Sequence, residues 1–187
     1  MSISFTLPPG VAFLTGLFSA DNVIKKVTRC GDLSGVFHDP VSWRATPPDT
    51  PVYEVEMLDS MQGEGELYVG VTHLQPGRIG DEFYMTRGHF HQRREQGEVY
   101  FGLKGTGLLL LEDEQGKARL EPVSPGSIHI IPGFTAHRLI NTGNDVLRAL
   151  AVWPSVAGHD YASLTRGFAV RVFERDGKVQ AKEVQNG

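Results

Sequence analysis

Most of the chain alternates short β-branched and aromatic segments with glycine-containing turns, and this pattern limits the folds that it can adopt. The segments 52–57 and 65–74 are rich in valine, tyrosine and leucine, and 146–153 is largely apolar. Strands this frequent, joined by short turns, predict an all-β barrel or sandwich. The turn signals between the later segments lie at 104–107, 114–116, 124–126 and 141–144.

A single domain is expected from 187 residues, which are enough to bury a substantial core. The expected parts are an N-terminal arm over 1–50, the barrel over 51–175 and a C-terminal tail over 176–187. The proline-rich stretch 46–51 favours an extended connection over a helix. Near the C-terminal end, a short helix is predicted at 159–166 and a last strand at 168–173.

Net charge, hydropathy and cysteine content limit the kinds of binding partner and the cellular compartment that we expect for this chain. A net charge of −4 gives no general attraction to nucleic acid or to an anionic membrane. No apolar stretch approaches the roughly 20 residues that span a bilayer, and residues 1–7 run into prolines instead of continuing as a signal peptide. The single Cys30 excludes an internal disulfide and fits a reducing compartment. We therefore expect a cytoplasmic protein that binds neither nucleic acid nor membrane.

Three histidines and one glutamate have the spacing of a mononuclear metal site. His89 and His91 are two residues apart, so on a strand both side chains leave the same face. A polar turn at 92–97 leads into the apolar strand that begins with Glu98, and a hairpin would bring this carboxylate beside the histidines. His137 follows a strand that Pro132 ends. Three imidazoles and a carboxylate are a ligand set for a divalent metal.

These residues resemble the paired motifs of the cupin superfamily. Phe134 stands where the general second motif has its inner glycine, and six residues separate His91 from Glu98 where three or four are usual. The first motif corresponds to Gly88, His89, His91, Glu98 and Gly105, and the second to Gly126, Pro132, His137 and Asn141. The resemblance implies a cupin barrel, also described as a double-stranded β-helix or jelly roll.

Within the superfamily, the chain resembles the cupin-type glucose-6-phosphate isomerases over roughly residues 50–175. The six-residue spacing belongs to this family. The motifs that carry the resemblance run from Tyr84 to His91, from Glu98 through Tyr100 to Gly107, and from Ala157 to Tyr161. The implied reaction is the reversible conversion of D-glucose 6-phosphate to D-fructose 6-phosphate in glycolysis and gluconeogenesis. It would proceed through a metal-stabilised enediol or by a hydride shift.

The same resemblance implies a role for each candidate residue. One divalent metal per subunit would be bound by His89, His91, Glu98 and His137, with Fe²⁺ expected first and Mn²⁺, Ni²⁺ or Zn²⁺ as alternatives. Glu98, Tyr100 and His159 would act in catalysis, with Glu98 as proton carrier and His159 in ring opening. The substrate and its phosphate would be bound by Tyr53, Thr72, Thr86, Gly88, Trp153 and Tyr161.

Two of the phosphate candidates raise geometric questions. On an ideal strand Thr86 points away from the face that carries His89 and His91, and a bulge at Gly88 would reconcile them. Trp153 stands where the family usually has tyrosine, so it would have to use its indole N–H or be replaced by another donor. Arg87, Arg93 and Arg94 flank the motif, and arginines in turns are typically solvated.

Two alternative functions remain open for a chain with these motifs. An Fe(II) cupin dioxygenase would use the same four ligands, and a non-catalytic sugar-binding cupin would retain the fold. The polar phosphate set and the motif from Ala157 to Tyr161 favour the isomerase, whose partner is a small sugar phosphate. An exposed sheet edge and the long arm further predict strand exchange in a homodimer.

Overall fold

The computed structural model describes residues 6–164 and 166–184. Residues 1–5 and 185–187, at the ends of the predicted arm and tail, and residue 165 in the predicted helix lie outside the described part. The strands are β1 (Gly10–Val11), β2 (Phe18–Ser19), β3 (Val23–Arg29), β4 (Pro51–Leu58), β5 (Leu67–Leu74), β6 (Arg78–Ile79), β7 (Glu82–Phe83), β8 (Glu98–Lys104), β9 (Gly107–Asp113), β10 (Ala118–Val123), β11 (Ile128–Ile131), β12 (Thr135–Ile140), β13 (Leu147–Pro154), β14 (Val170–Arg175) and β15 (Lys178–Glu183). One α-helix, α1 (Pro40–Ala45), and 3₁₀ turns at Cys30–Leu33 and Ala162–Leu164 complete the described elements.

Most of these strands belong to three antiparallel sheets. A six-stranded sheet has the order β11-β8-β13-β5-β4-β3, a three-stranded sheet the order β10-β9-β12, and a four-stranded sheet the order β15-β14-β7-β6. The strands β1 and β2 form a separate hairpin. The prediction of an all-β fold is confirmed.

One apolar core joins the larger sheets. Leu109 and Leu111 of β9 and Leu139 of β12 are fully buried and pack in the same cluster as Leu74 of β5. Burial of such a side chain stabilises the fold by about 2 kcal/mol. The core needs close backbone approach at Gly107, where a Cβ would lie 2.4 Å from the Ile140 carbonyl oxygen.

The predicted arm contains more regular structure than its sequence indicated. Strand β3 pairs with β4 along seven residues and forms the edge of the six-stranded sheet. Asp39 caps α1 by accepting hydrogen bonds from the backbone N–H groups of Val41 and Ser42, and Pro40 occupies the first turn. The helix ends at Ala45, so the proline-rich stretch 46–51 lies outside it.

The C-terminal region differs in detail from the prediction. In place of the expected helix over 159–166, the described residues form a three-residue 3₁₀ turn at Ala162–Leu164. The expected tail contains β15, which pairs along its length with β14. Within the described residues, no helix is both long and apolar enough to cross a membrane.

Candidate metal centre and substrate cavity

The four predicted metal ligands converge from three chain segments. His89 pairs with His137 of β12 in an antiparallel bridge, and His91 follows on the same strand. A turn closed by the Gln96 N–H donating to the Arg93 carbonyl returns the chain to Glu98, the first residue of β8. The four ligand atoms all lie within 4.8 Å of one another.

The environment of these atoms fits a divalent cation. The Nε2 atoms of His91 and His137 lie 3.1 and 3.0 Å from Oε2 of Glu98. Nε2 of His89 is buried without a hydrogen-bond partner among the described residues, although buried polar groups are nearly always paired. Nδ1 of His91 lies 2.9 Å from the Gln96 carbonyl oxygen, so it is the protonated nitrogen and Nε2 is left to bind a metal.

Burial and proximity perturb the ligands of the metal-free site. Burial lowers the pKa of His89 well below its usual value, and the neighbouring imidazoles act in the same direction. Burial alone would raise the pKa of Glu98, but His137 and His91 outweigh it, so this pKa is lowered. Burial likewise opposes protonation of His91, but hydrogen bonds to Glu98 and Gln96 raise its pKa overall. Glu98 is therefore an ionised carboxylate at neutral pH.

A cavity of about 310 Å³ opens beside the ligands. His89 and Glu98 form part of its wall, together with most of the residues predicted to contact substrate. Those predicted residues are Tyr53, Thr72, Gly88, Tyr100, Trp153, His159 and Tyr161. A concave site with hydroxyls close to a metal-ligand cluster suits a polar small molecule.

Thr86 is not among the residues that line this cavity. The predicted bulge is present. Between the Met85–Ile140 and His89–His137 bridges, one side has the three residues 86–88 and the other has only the two residues 138–139. Gly88 has φ +73°, and a Cβ there would lie 2.6 Å from the Phe168 ring. The Thr86 hydroxyl nevertheless accepts a hydrogen bond from the Leu139 N–H, so it joins the strands together.

Tyr100, His159 and Tyr161 surround the open side of the centre. The His159 ring lies 4.3 Å from the His89 ring and is parallel to the Tyr161 ring at 5.9 Å. Burial raises the pKa of Tyr100 well above its usual value, and nearby Glu98 adds to the effect. Burial lowers the pKa of His159. At neutral pH the site therefore presents a neutral phenol and a neutral imidazole.

Trp153 occupies the cavity wall through its ring. The ring packs over Gly70, where a Cβ would lie 3.1 Å from the indole. The centroid of the Trp153 ring lies 5.8 Å from that of Tyr68. Trp153, which stands where the family usually has tyrosine, thus fills part of the cavity wall with its ring and offers the indole N–H as its only polar side-chain group.

Three polar residues that line the cavity were not among the site residues predicted from the sequence. Lys26 and Thr28 belong to β3, and Arg87 lies within the bulge. The signal for Lys26 and Thr28 is the alternation along β3, which places the side chains of 24, 26 and 28 on the same face. The partner strand β4 was predicted from the sequence, but β3 was assigned to the N-terminal arm. Arg93 and Arg94, in contrast, form ion pairs with Glu64 and Asp160.

Comparison with known proteins identifies the family of this chain. The family model for glucose-6-phosphate isomerase matches residues 27–186. The glucose-6-phosphate isomerase of Thermococcus litoralis is 41% identical over 91% of this chain and 90% of its own length. The enzyme of Pyrococcus horikoshii is 42% identical over 83% of this chain and 84% of its own. Among solved structures, an oxalate decarboxylase of Lactobacillus farciminis aligns with a TM-score of 0.46 and 20% identity over 58% of this chain and 30% of that chain. The resemblance found in the motifs is confirmed, and the chain belongs to the glucose-6-phosphate isomerase family.

Proposed function

We propose that this protein interconverts D-glucose 6-phosphate and D-fructose 6-phosphate in a metal-dependent reaction. The observation that carries the proposal is the convergence of His89, His91, Glu98 and His137 at the wall of a cavity that also contains tyrosine and threonine hydroxyls. The names of the relatives supply glucose 6-phosphate as substrate and isomerisation as the reaction. Family membership supports the same reaction class.

The four converging residues would hold one divalent metal per subunit. Fe²⁺ is the first choice and Mn²⁺, Ni²⁺ or Zn²⁺ are alternatives, since a mixed imidazole and carboxylate set accepts all of them. When bound, such an ion supplies Lewis-acid chemistry to the sugar oxygens. The buried Nε2 of His89, which has no hydrogen-bond partner among the described residues, supports this assignment.

Tyr100 and His159 would act on the sugar directly. The Tyr100 hydroxyl is kept neutral by burial, so it can donate a hydrogen bond to an oxygen at C1 or C2. His159 is kept neutral by burial, so it can accept the ring hydroxyl proton as the cyclic sugar opens. Tyr161, stacked on His159, orients this imidazole.

Glu98 is the candidate for proton transfer between C1 and C2, but its environment opposes that role. His137 and His91 hold the pKa of Glu98 down against the effect of burial, and a carboxylate so stabilised is a weak base. A carboxylate that serves as a metal ligand would be a still weaker base, which favours direct hydride transfer from C2 to C1 with Glu98 acting as a ligand.

Phosphate binding falls to the hydroxyls of Tyr53, Thr72 and Tyr161, the Trp153 N–H and the backbone N–H at Gly88. A backbone N–H at a position with positive φ is typical of anion-binding concavities. Thr86 is not among the residues that line the cavity, and its hydroxyl accepts a hydrogen bond from the Leu139 N–H.

A homodimer and a cytoplasmic location complete the proposal. Ile128 and Ile130 of β11 are about 70% exposed, and Val99, paired with Ile130, is 40% exposed. Phe13 and Leu14 of the arm are exposed as well. Contiguous apolar surface of this kind is typical of contacts between subunits. An Ile130→Asp variant should sediment as a monomer if this surface forms the dimer.

The test is formation of glucose 6-phosphate from fructose 6-phosphate, coupled to a dehydrogenase. Chelator-stripped protein is assayed alone and after addition of Fe²⁺, Mn²⁺, Ni²⁺ or Zn²⁺, with His89→Ala alongside. We expect activity that depends on metal and is lost in the variant. A protein that binds metal but converts no substrate with any of the four would overturn the proposal, and oxygen consumption would then be measured.

A further inference from the structure

Strand β3 brings a lysine to the row of side chains that contains the phosphate candidate Thr72. Lys26 is registered opposite Val55 of β4, and Val55 is opposite Thr72 of β5. All three line the cavity. Two strand spacings separate Lys26 from Thr72, roughly 10 Å between their Cα atoms. The four-carbon stem of lysine can extend over Val55 and bring the ammonium to a group bound at Thr72.

The neighbouring lysine on the same strand has a different environment. The side chain of Lys25 leaves the opposite face of β3 and donates to Oε1 of buried Glu56 at 2.5 Å. Lys26 forms no ion pair with any carboxylate in the described ranges. Its charge is therefore available to a ligand in the cavity.

A second cation reaches the cavity from the bulge. Arg87 precedes Gly88, and its guanidinium lies 4.9 Å above the Tyr161 ring. Both neighbours line the same cavity. No carboxylate among residues 6–164 and 166–184 pairs with Arg87, unlike Arg94, which binds Asp160.

The remaining polar groups at this end of the cavity are neutral donors. Thr72 and Tyr53 offer one hydroxyl each, and Trp153 offers one indole N–H. A phosphate that leaves water as a dianion needs charge-assisted hydrogen bonds, which are roughly twice as strong as neutral ones. Of the described residues that line the cavity, Glu98 is the only acid, and it lies at the metal-ligand cluster.

We propose that Lys26 and Arg87 bind the substrate phosphate as a cationic pair at the end of the cavity formed by Tyr53, Thr72 and Gly88. The inference rests on the proposed function for its substrate class. It assigns to β3 and to Arg87 in the bulge a specificity for phosphorylated over free sugars, and it adds charged donors to the neutral ones.

The test is binding of D-glucitol 6-phosphate, which has no carbonyl and cannot be isomerised, to the metal-loaded full chain by calorimetry. We expect Lys26→Gln and Arg87→Gln each to raise the Kd by about tenfold, the loss typical of one hydrogen bond to a charged group. The KM for fructose 6-phosphate should rise similarly with little change in kcat, and Lys26→Arg should restore most of the affinity.

Lys117→Gln is the matched control, because Lys117 is exposed in the β9–β10 turn away from the cavity. It should leave the Kd and the KM unchanged. Unchanged values in both Lys26→Gln and Arg87→Gln, in a protein that isomerises fructose 6-phosphate, would overturn the inference alone. A wild-type chain that neither binds the probe nor isomerises the sugar phosphate would overturn the proposed function with it.

Discussion

Arg94 and Asp160 form an ion pair that joins the metal-ligand turn to the segment that carries His159 and Tyr161. Nη2 of Arg94 donates to Oδ2 of Asp160 at 2.6 Å, and Nη1 donates to the His91 carbonyl oxygen at 2.9 Å. Arg94 therefore connects Asp160, the residue after His159, to the backbone of the metal ligand His91. The bridge adds a side-chain contact to the backbone hydrogen bonds between Phe90 and Asp160, and we expect it to help position the His159 imidazole.

An Arg94→Met variant tests the bridge. We expect kcat to fall by about tenfold, because His159 loses its fixed position, while bound metal stays at one per subunit. Stability should fall by only about 1 kcal/mol, since both partners are partly exposed. Arg93→Met is the control, as Arg93 pairs only with exposed Glu64. Loss of metal from Arg94→Met would show instead that the bridge supports the ligands.

Metal affinity should depend on pH through the ligands. Burial lowers the pKa of His91, but its hydrogen bonds to Glu98 and Gln96 outweigh burial and raise the pKa above 6.5 in the metal-free protein. A proton and a metal compete for Nε2, so affinity should rise with pH through this pKa and weaken below it. Calorimetric titration with Zn²⁺ between about pH 5.5 and 8 measures it. An affinity independent of pH would contradict the ligand role of His91.

His89, His91 and Glu98 could be predicted from sequence because their geometry is local, whereas His137 was identified by the resemblance of its segment to the second cupin motif. Alternation along a strand places His89 and His91 on one face, and a short turn returns the chain to Glu98. The bulge at Gly88 followed from parity and from the tolerance of glycine for positive φ. Both inferences used residues that are close together in the chain.

The contribution of β3 could not be predicted in this way. Its burial pattern is mostly exposed, and its membership of the sheet depends on pairing with β4, which begins more than 20 residues after β3 ends. Without that pairing, Lys26 is one charge in a polar segment. The position of Thr86 could not be predicted for the same reason, because its hydroxyl accepts a hydrogen bond from Leu139, more than 50 residues later in the chain.

Replacement of Phe134 by glycine should stabilise the protein. Phe134 adopts φ +59° with 52% of its surface exposed, at the position where the general motif has glycine. A left-handed backbone costs a residue with a Cβ about 1 kcal/mol, and little buried contact offsets this cost. We expect Phe134→Gly to gain up to about 1 kcal/mol in urea unfolding. Phe134→Ala keeps the strain and should show no such gain; an equal gain in both variants would assign the effect to loss of the exposed ring.

The hydrogen that moves between C1 and C2 should not exchange with solvent. Glu98 is a weak base because His137 and His91 keep its pKa low despite burial. Glucose 6-phosphate is converted in D₂O over many turnovers, and the fructose 6-phosphate is examined by NMR for deuterium at C1. We expect none, as direct hydride transfer requires. Deuterium at C1, absent with the His89→Ala protein, would establish proton transfer through a base that exchanges with water and return Glu98 to that role.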